Sequence, residues 1–253
     1  MKRFNRFELK YILDLRDTEA VSKDLLANMR PDGNGDRDGS YAITSVYYDT
    51  ADLAFMRAKI EGIKFRRKLR VRRYGAGANG LVYVEIKQRI NRTTQKRRLI
   101  VPERVGLDLC NGELTVELAE AHDKEVAEEI QFLSRGLALQ PTALVGYQRQ
   151  AFVGGEYEPG LRVTFDRDMW AADAARGLDH DGTRHGLATR RTVIMEVKAN
   201  DAVPLRLPHL LARHNCTLQR YSKYCAATQK LLDLQLLGAH RLLQEKDDNQ
   251  WMN

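Results

Sequence analysis

Apolar and polar residues alternate in eight segments of the chain, and each segment ends near Gly, Asp or Pro. Alternation with a period of two is typical of β-strands that turn one face towards a core. The predicted strands are residues 5–13, 41–49, 66–74, 81–89, 96–102, 143–153, 160–168 and 191–198. Because strands outnumber helices and no βαβ alternation or glycine-rich phosphate loop occurs, the pattern predicts an α+β fold. We expect an antiparallel sheet or barrel with flanking helices.

Apolar residues at helical spacing mark four other segments. The predicted helices are residues 17–29, 115–136, 205–214 and 221–238. Asp17 is the candidate N-cap of the first helix. Residues 30–40 and 169–190 are rich in Gly and Asp, which predicts flexible loops. We expect a single domain over residues 1–240 and a disordered tail over residues 241–253.

Charge and cysteine usage narrow the function classes. The 253 residues include 41 Lys and Arg against 34 Asp and Glu, a formal net charge of +7 that favours anionic partners. No apolar run is long enough for a membrane helix, and the start, MKRFNRFELK, lacks a signal-peptide core. Three widely spaced cysteines without a CxxC pair favour reduced thiols and a cytoplasmic location over a zinc site or disulfides.

The charged residues share faces of the predicted strands. Lys68, Arg70 and Arg72 fall on the face opposite Leu69 and Val71. The same alternation puts together Tyr83, Glu85 and Lys87; Glu196 and Lys198; Glu8 and Lys10; and Arg162, Thr164 and Asp166. On one strand this is the ordinary solvent-facing pattern, but five strands repeat Arg or Lys in register, often beside a Glu.

A basic lining of this kind suits phosphate chemistry. Arginine binds phosphate through two parallel hydrogen bonds, and lysine supplies a mobile point charge. Glu8, Glu85 and Glu196 could hold a divalent metal that bridges phosphate oxygens, although ion pairing inside the barrel is an equal alternative for Glu8 and Glu85. Asp49 is expected to end its strand and cap the next turn. The aromatic residues form no stacking platform, so we expect no nucleic-acid partner.

The order of the motifs FELKY, SVYYDT, KLRVRRYG, VYVEIKQ, KRRLIV, YQRQAF, LRVTFD, IMEVK and YSKYC, over residues 3–235, resembles the VTC polyphosphate polymerase domain. That domain belongs to the triphosphate tunnel metalloenzymes, which include the CYTH phosphatases and adenylate cyclases. The resemblance implies a closed, eight-stranded antiparallel β-barrel, or triphosphate tunnel. It also implies an ATP-dependent phosphotransferase that adds the γ-phosphate of ATP to a growing polyphosphate chain, with Mn²⁺ or Mg²⁺ as cofactor.

The resemblance also implies roles for particular residues. Lys10, Arg70, Arg72, Lys87, Arg149 and Arg162 match phosphate-gripping positions. Lys96 and Arg98 match a basic pair, but the intervening Arg97 allows a one-residue shift that would change the face. Glu196 matches a metal-holding glutamate, and Lys223 matches a lysine that closes over the tunnel. The basic candidates are therefore Lys10, Arg70, Arg72, Lys87, Lys96, Arg98, Arg149, Arg162, Lys198 and Lys223.

The first strand departs from the pattern of the tunnel triphosphatases. They carry Glu-x-Glu-x-Lys there, whereas this chain reads Arg6-Phe7-Glu8-Leu9-Lys10. Because hydrolysis needs an activated water, losing one carboxylate favours a polymerase over a triphosphatase. A metal-dependent triphosphatase and a non-catalytic polyphosphate-binding module stay as alternatives. Fungal family members also carry a regulatory domain and a membrane anchor, so a membrane-protein partner is expected for a chain without them.

Overall fold

A computed structural model of the chain describes residues 6–75, 80–91, 93–113, 120–180, 182–200 and 202–234, with Arg6 in its backbone alone. The long strands are β1 Arg6–Asp14, β3 Ser40–Asp49, β4 Phe65–Tyr74, β5 Leu81–Ile90, β6 Thr93–Pro102, β7 Gln140–Gly154, β8 Arg162–Ala172 and β10 Thr192–Asn200. Each coincides with a predicted strand, so the eight-strand prediction is confirmed. The short strands β2 (Met29–Pro31) and β9 (His185–Gly186) were not predicted.

The strands form one sheet in the order β1-β10-β8-β7-β3-β4-β5-β6, with β2 on β7 and β9 on β8. The ladders β1–β10, β10–β8, β4–β5 and β5–β6 are antiparallel, as predicted. Over the described residues, the end strands β1 and β6 each pair with one strand only. The predicted closure of the barrel is therefore wrong at the level of strand pairing. Alternation determines which face a side chain occupies but carries no information on whether two end strands meet.

Six helices occur in the described residues: α1 Leu15–Leu26, α2 Ala54–Ile60, α3 Glu103–Cys110, α4 Ala121–Gly136, α5 Arg206–Arg213 and α6 Lys223–Asp233. All four predicted helices are present, although residues 115–119 and 235–238 of those predictions, and the predicted tail 241–253, lie outside the described residues. The cap of α1 is Asp14 and not Asp17, because the Arg16 amide donates to the Asp14 carboxylate at 3.0 Å. No described helix combines the length and apolar character needed to cross a bilayer.

The chain divides into two compact units, each with a core of its own. Unit 1 comprises Met1–Ile43, Gly146–Met169 and Ala188–Ser222, and unit 2 comprises Thr44–Val145, Trp170–Leu187 and Lys223–Asn253. The core of unit 1 joins one face of β1, β8 and β10 to apolar residues of α1 and α5. The single domain over residues 1–240 stays a prediction.

In unit 2 the apolar face of the strands is covered by helices. Val84 and Ile86 of β5 and Leu99 of β6 are fully buried in one cluster with residues of α3 and α4. Gly106 lets α3 approach the strands closely, since a Cβ atom there would lie 2.8 Å from the Val82 side chain. With this face packed, the charged residues of β4–β6 occupy the opposite face.

Candidate functional site

The predicted site residues fall into two groups, one in each unit. We call the first group the β4–β6 cluster; it consists of Lys68, Arg70, Arg72, Glu85, Lys87, Lys96 and Arg98 in unit 2. We call the second the β1–β10 cluster; it consists of Glu8, Lys10, Arg149, Arg162, Asp166, Glu196 and Lys198 in unit 1.

The register of β4, β5 and β6 arranges the β4–β6 cluster in rows. Lys68 pairs with Lys87, which pairs with Lys96, so three lysines stand side by side across three strands. In the next row Glu85 stands between Arg70 and Arg98. Like charges directly opposite each other destabilise a sheet. The lysine row is therefore unfavourable for an empty sheet and favourable for a sheet that binds a polyanion.

The same register decides the face of the basic run on β6. Lys96 and Arg98 pair with Lys87 and Glu85, as the prediction required. Arg97 pairs with Ile86, and its guanidinium forms an ion pair with Glu129 of α4 on the other face. The one-residue shift that the sequence left open is thus absent.

Glu85 is the carboxylate on which the basic residues of this cluster converge. It is 1% exposed. Its Oε2 accepts from Arg70 Nε at 2.7 Å, its Oε1 accepts from Arg98 Nη2 at 2.8 Å, and Lys96 pairs with Oε1 as well. Burial would raise the pKa of Glu85, but the surrounding cations outweigh it and hold the pKa far below its usual range. Both oxygens are engaged by cations, so the structure favours the ion-pair alternative for Glu85 over a metal ligand.

Strand β3 adds two hydroxyl groups to the cluster. Arg72, 5% exposed, donates from Nε to Ser45 Oγ at 3.1 Å. Arg70 donates from Nη1 to the Tyr47 hydroxyl at 3.1 Å. Tyr47 is itself 5% exposed. Its hydroxyl nevertheless lies among the cations of the cluster.

Helix α6 contacts this cluster through its first turn. The Tyr224 ring stacks on the Tyr47 ring with centroids 5.0 Å apart, and Lys68 Nζ lies 5.4 Å from the Tyr224 centroid. Lys223, the predicted closing lysine, is the first residue of α6. Its closing role stays a prediction.

Asp49 acts as the predicted cap. Its carboxylate, fully buried, accepts from the Phe55 and Met56 amides at 2.8 and 2.9 Å and from the Tyr224 hydroxyl. The N-cap residue of α2, Leu53, has a left-handed backbone (φ 58°) and makes no side-chain cap bond. Asp49 therefore caps α2 from a distance and ties α6 to it.

In the β1–β10 cluster, acidic and basic residues alternate across the two strands. Lys10 pairs with Glu196, and Glu8 pairs with Lys198. The Lys10 Nζ lies 3.4 Å from Glu8 and 3.8 Å from Glu196, and the Lys198 Nζ lies 3.3 Å from Glu196. Burial opposes the charged form of Glu196, yet Lys198 and Lys10 hold its pKa well below the usual range. Glu196 is thus an ionised, buried carboxylate.

The two arginines of this cluster are held by carboxylates that were not among the predicted phosphate-binding or metal-binding residues. Arg149 donates from Nε and Nη2 to Asp166 at 2.6 and 2.8 Å, and both residues are buried. Arg162 Nη2 lies 2.5 Å from buried Asp32 and donates to the Tyr41 hydroxyl at 2.6 Å. Asp32 belongs to the segment predicted as a flexible loop. The local sequence around Asp32 gives no indication that this residue forms an ion pair with Arg162.

Glu8 and Glu196 provide the donor set that best fits a divalent cation. The Lys10 Nζ lies 3.4 Å from Glu8 and 3.8 Å from Glu196, so the two carboxylates share one cation. Among the described residues, His, Cys, Asp and Glu form no group of three that could enclose a metal. Mg²⁺ and Mn²⁺ are commonly held by one or two carboxylates together with substrate phosphates and water. The pair therefore suits a cation shared with a phosphate ligand.

A family model and two solved structures resemble this chain. The family model described as the VTC domain matches residues 5–232. The crystal structure of a proposed adenylate cyclase from Bacillus halodurans superposes with a TM-score of 0.50 at 12% identity, over 85% of this chain and 92% of that chain. The PH1819 protein of Pyrococcus horikoshii OT3 gives a TM-score of 0.45 at 12% identity, over 88% and 99%. No curated protein sequence matches significantly. At 12% identity the Bacillus structure supports the fold alone.

Proposed function

Because the chain belongs to the VTC domain family, we propose that it is an ATP-dependent polyphosphate polymerase. It transfers the γ-phosphate of ATP to the end of a growing polyphosphate chain. The observation that supports the proposal most strongly is the β4–β6 cluster. There six basic side chains share one face with a single carboxylate, Glu85.

The charge of that cluster matches what phosphoryl transfer demands. The reaction needs reactants held in line and negative charge neutralised, with little covalent work by the protein. The attacking terminal phosphate oxygen is already anionic, so no dedicated general base is required. The guanidinium groups of Arg70, Arg72 and Arg98 bind phosphate oxygens, and the lysine row screens the repulsion between neighbouring phosphates.

Glu8 and Glu196 would hold the divalent cation. When bound, the cation would neutralise charge on phosphate oxygens during transfer. Lys10 and Lys198 keep Glu196 ionised and therefore ready to bind it. Glu85 is left out of this role because its oxygens are bound by Arg70, Arg98 and Lys96.

The direct test is product analysis. Purified protein is incubated with ATP and Mn²⁺, and the products are resolved as ADP with an acid-labile chain, as orthophosphate, or as unchanged ATP. The chain product is expected. Orthophosphate alone would replace the proposal with a triphosphatase, and unchanged ATP despite polyphosphate binding would replace it with a binding module.

Two neighbouring arginines of β6 provide a matched comparison. Arg98→Ala removes a cation of the cluster and should lower the rate of chain formation at least tenfold, about 1.4 kcal/mol. Arg97→Ala removes the same charge from the opposite face, where Arg97 is paired with Glu129, and should leave the rate nearly unchanged. Equal losses in both variants would show that overall charge, and not the cluster, supports the reaction.

A further inference from the structure

Tyr47 occupies an unusual place for a phenol. Its side chain is 5% exposed, and one ring face is stacked on Tyr224. Its hydroxyl accepts a hydrogen bond from Arg70 at 3.1 Å. This hydroxyl is a titratable oxygen inside the β4–β6 cluster, and the proposed reaction so far assigns it no role.

The charged groups around Tyr47 are mostly cations. From β4 come Lys68, Arg70 and Arg72, all on one face of the strand. Helix α6 contributes Tyr224, whose own hydroxyl is turned to Asp49. From β5, Glu85 reaches the side of Arg70 and so neutralises that cation in part. The excess of positive charge therefore remains next to the Tyr47 oxygen.

That excess changes the proton affinity of the phenol. Burial alone would raise the pKa of Tyr47, but Arg70 and its two basic neighbours on β4 outweigh burial and lower the pKa to about 7, from an ordinary value of 10.0. A phosphate chain bound to the same cations would cancel their effect, because it brings negative charge to the same groups. The pKa should then return towards its ordinary value.

We propose that the Tyr47 hydroxyl is a further phosphate-binding group, which is a tyrosinate in the phosphate-free protein and a neutral phenol that donates to the bound chain. On binding, one proton moves from solvent or buffer to the Tyr47 oxygen, and an O–H bond forms there; no other covalent bond changes. The tyrosinate thus takes the place of the absent polyanion among the cations. This inference rests on phosphate binding by the β4–β6 cluster, as in the proposed function.

The first test is spectroscopic and uses the wild-type chain. At about pH 8.5, between the two pKa values, the phosphate-free wild type should show near-ultraviolet tyrosinate absorption that exceeds that of Tyr47→Phe by one group, and saturating tripolyphosphate should remove this excess. The comparison with Tyr47→Phe is needed because the pKa of Tyr74 is also lowered by Arg72 and Arg70. Tyr157→Phe, at a residue that is 95% exposed, should behave as the wild type. Absence of the excess in the free wild type, or its persistence with ligand, would overturn the inference.

The second test measures the affinity for tripolyphosphate as a function of pH. Tyr47→Phe is the reference, because the ionisation of tripolyphosphate itself is the same for both proteins and cancels in the comparison. At about pH 6 the wild type should bind tripolyphosphate ~10-fold more tightly, since it gains a hydrogen bond to a charged acceptor. Above the pKa of Tyr47 the wild-type affinity should fall by up to about tenfold per pH unit relative to the variant, so that the order reverses near pH 8. Parallel curves for the two proteins would contradict proton uptake at Tyr47.

A third measurement distinguishes failure of the Tyr47 inference from failure of the proposed polymerase function. Calorimetry of tripolyphosphate binding in buffers of different ionisation enthalpy should show about one more proton taken up by the wild type than by Tyr47→Phe. Proton uptake without chain synthesis from ATP would refute the polymerase and support the Tyr47 inference. Chain synthesis without proton uptake would refute the Tyr47 inference alone, and a failure to bind tripolyphosphate would refute both. Because Phe keeps the ring that stacks on Tyr224, the variant is expected to fold, and the wild-type spectrum decides the matter if it does not.

Discussion

Replacement of Glu85 by Gln should strongly destabilise the empty protein. The change keeps the shape of the side chain but removes the carboxylate that separates Arg70 from Arg98. A buried charge that loses its partner typically costs 3–5 kcal/mol, and we expect a loss of about that size in the free energy of unfolding. The cations left behind also repel one another.

The contacts of Glu85 set the scale of this estimate. Arg70 binds Oε2 at 2.7 and 2.6 Å, and Arg98 binds Oε1 at 3.0 and 2.8 Å. Each bond to a charged group contributes ~1.5–3 kcal/mol, but the sum overcounts because the Gln oxygen still accepts some of them. The Lys96 and Arg98 side chains are also 41% and 39% exposed, so water screens part of their charge.

Thermal and urea unfolding would measure the loss. For a chain of this size, ~3–5 kcal/mol corresponds to a fall in Tm of roughly 6–20 °C. Glu129→Gln is the matched control, because Glu129 of α4 pairs with Arg97 on the helix-covered face and is partly exposed, so about 1 kcal/mol or less is expected. Tripolyphosphate should raise the Tm of Glu85→Gln more than that of the wild type, since the ligand replaces the missing charge. An unchanged Tm in Glu85→Gln, or a larger ligand shift in the wild type, would refute this reasoning.

The pH dependence of the loss has a definite sign. The folded-state pKa of Glu85 lies below its unfolded value of about 4.5, so its contribution is fully present above that pH. The contribution disappears as the pH falls from about 4.5 through the lower, folded-state pKa. The stabilities of wild type and Glu85→Gln should therefore differ most at neutral pH and converge on acidification.

Other expected outcomes follow from single contacts. Glu196→Gln should abolish chain synthesis from ATP while tripolyphosphate binding, measured by calorimetry, persists within about tenfold, because it deletes a metal ligand and keeps the cations. Asp49→Asn should lower the free energy of unfolding in urea by ~1–3 kcal/mol, since an amide nitrogen cannot accept the bonds of the α2 amides and Tyr224; an unchanged midpoint would contradict the remote cap. Ala138→Gly should raise that free energy by ~1 kcal/mol, because Ala138 is exposed and ends α4 in a left-handed conformation (φ 47°); a lower urea midpoint would refute this.

The sequence predicted the parts of this fold that depend on local periodicity. All eight long strands and the shared face of Arg70 and Arg72 followed from alternation, because a strand turns successive side chains to opposite sides. Helices α2 and α3, of 7 and 8 residues, were missed, because a segment of about two turns shows a helical period only where the apolar spacing is clear, as with Leu207, Leu210 and Leu211 of the equally short α5. Barrel closure depends on which edges meet, and alternation does not encode that.

The same limit applies to the candidate site. The basic residues could be selected from the alternation within one strand, whereas Asp32, the partner of Arg162, could not. Asp32 forms an ion pair with Arg162 across a separation of 130 residues in the chain, and no sequence pattern near either residue predicts this contact. The Tyr47 hydroxyl is a second example, because only the placement of Arg70 shows its polar environment.

The rows of the β4–β6 cluster have a consequence for how such a site tolerates change during evolution. Exchanges between Lys and Arg within a row preserve both face and charge. A single inserted or deleted residue inside β5 would instead move Glu85 towards the packed face and bring Val84 or Ile86 into its row, since a one-residue slip inverts every later side chain. The charge pattern thus tolerates Lys/Arg substitutions but does not tolerate one-residue insertions or deletions within these strands. Length variation among relatives should therefore fall outside β4, β5 and β6, and a one-residue insertion scan would find these strands the least permissive.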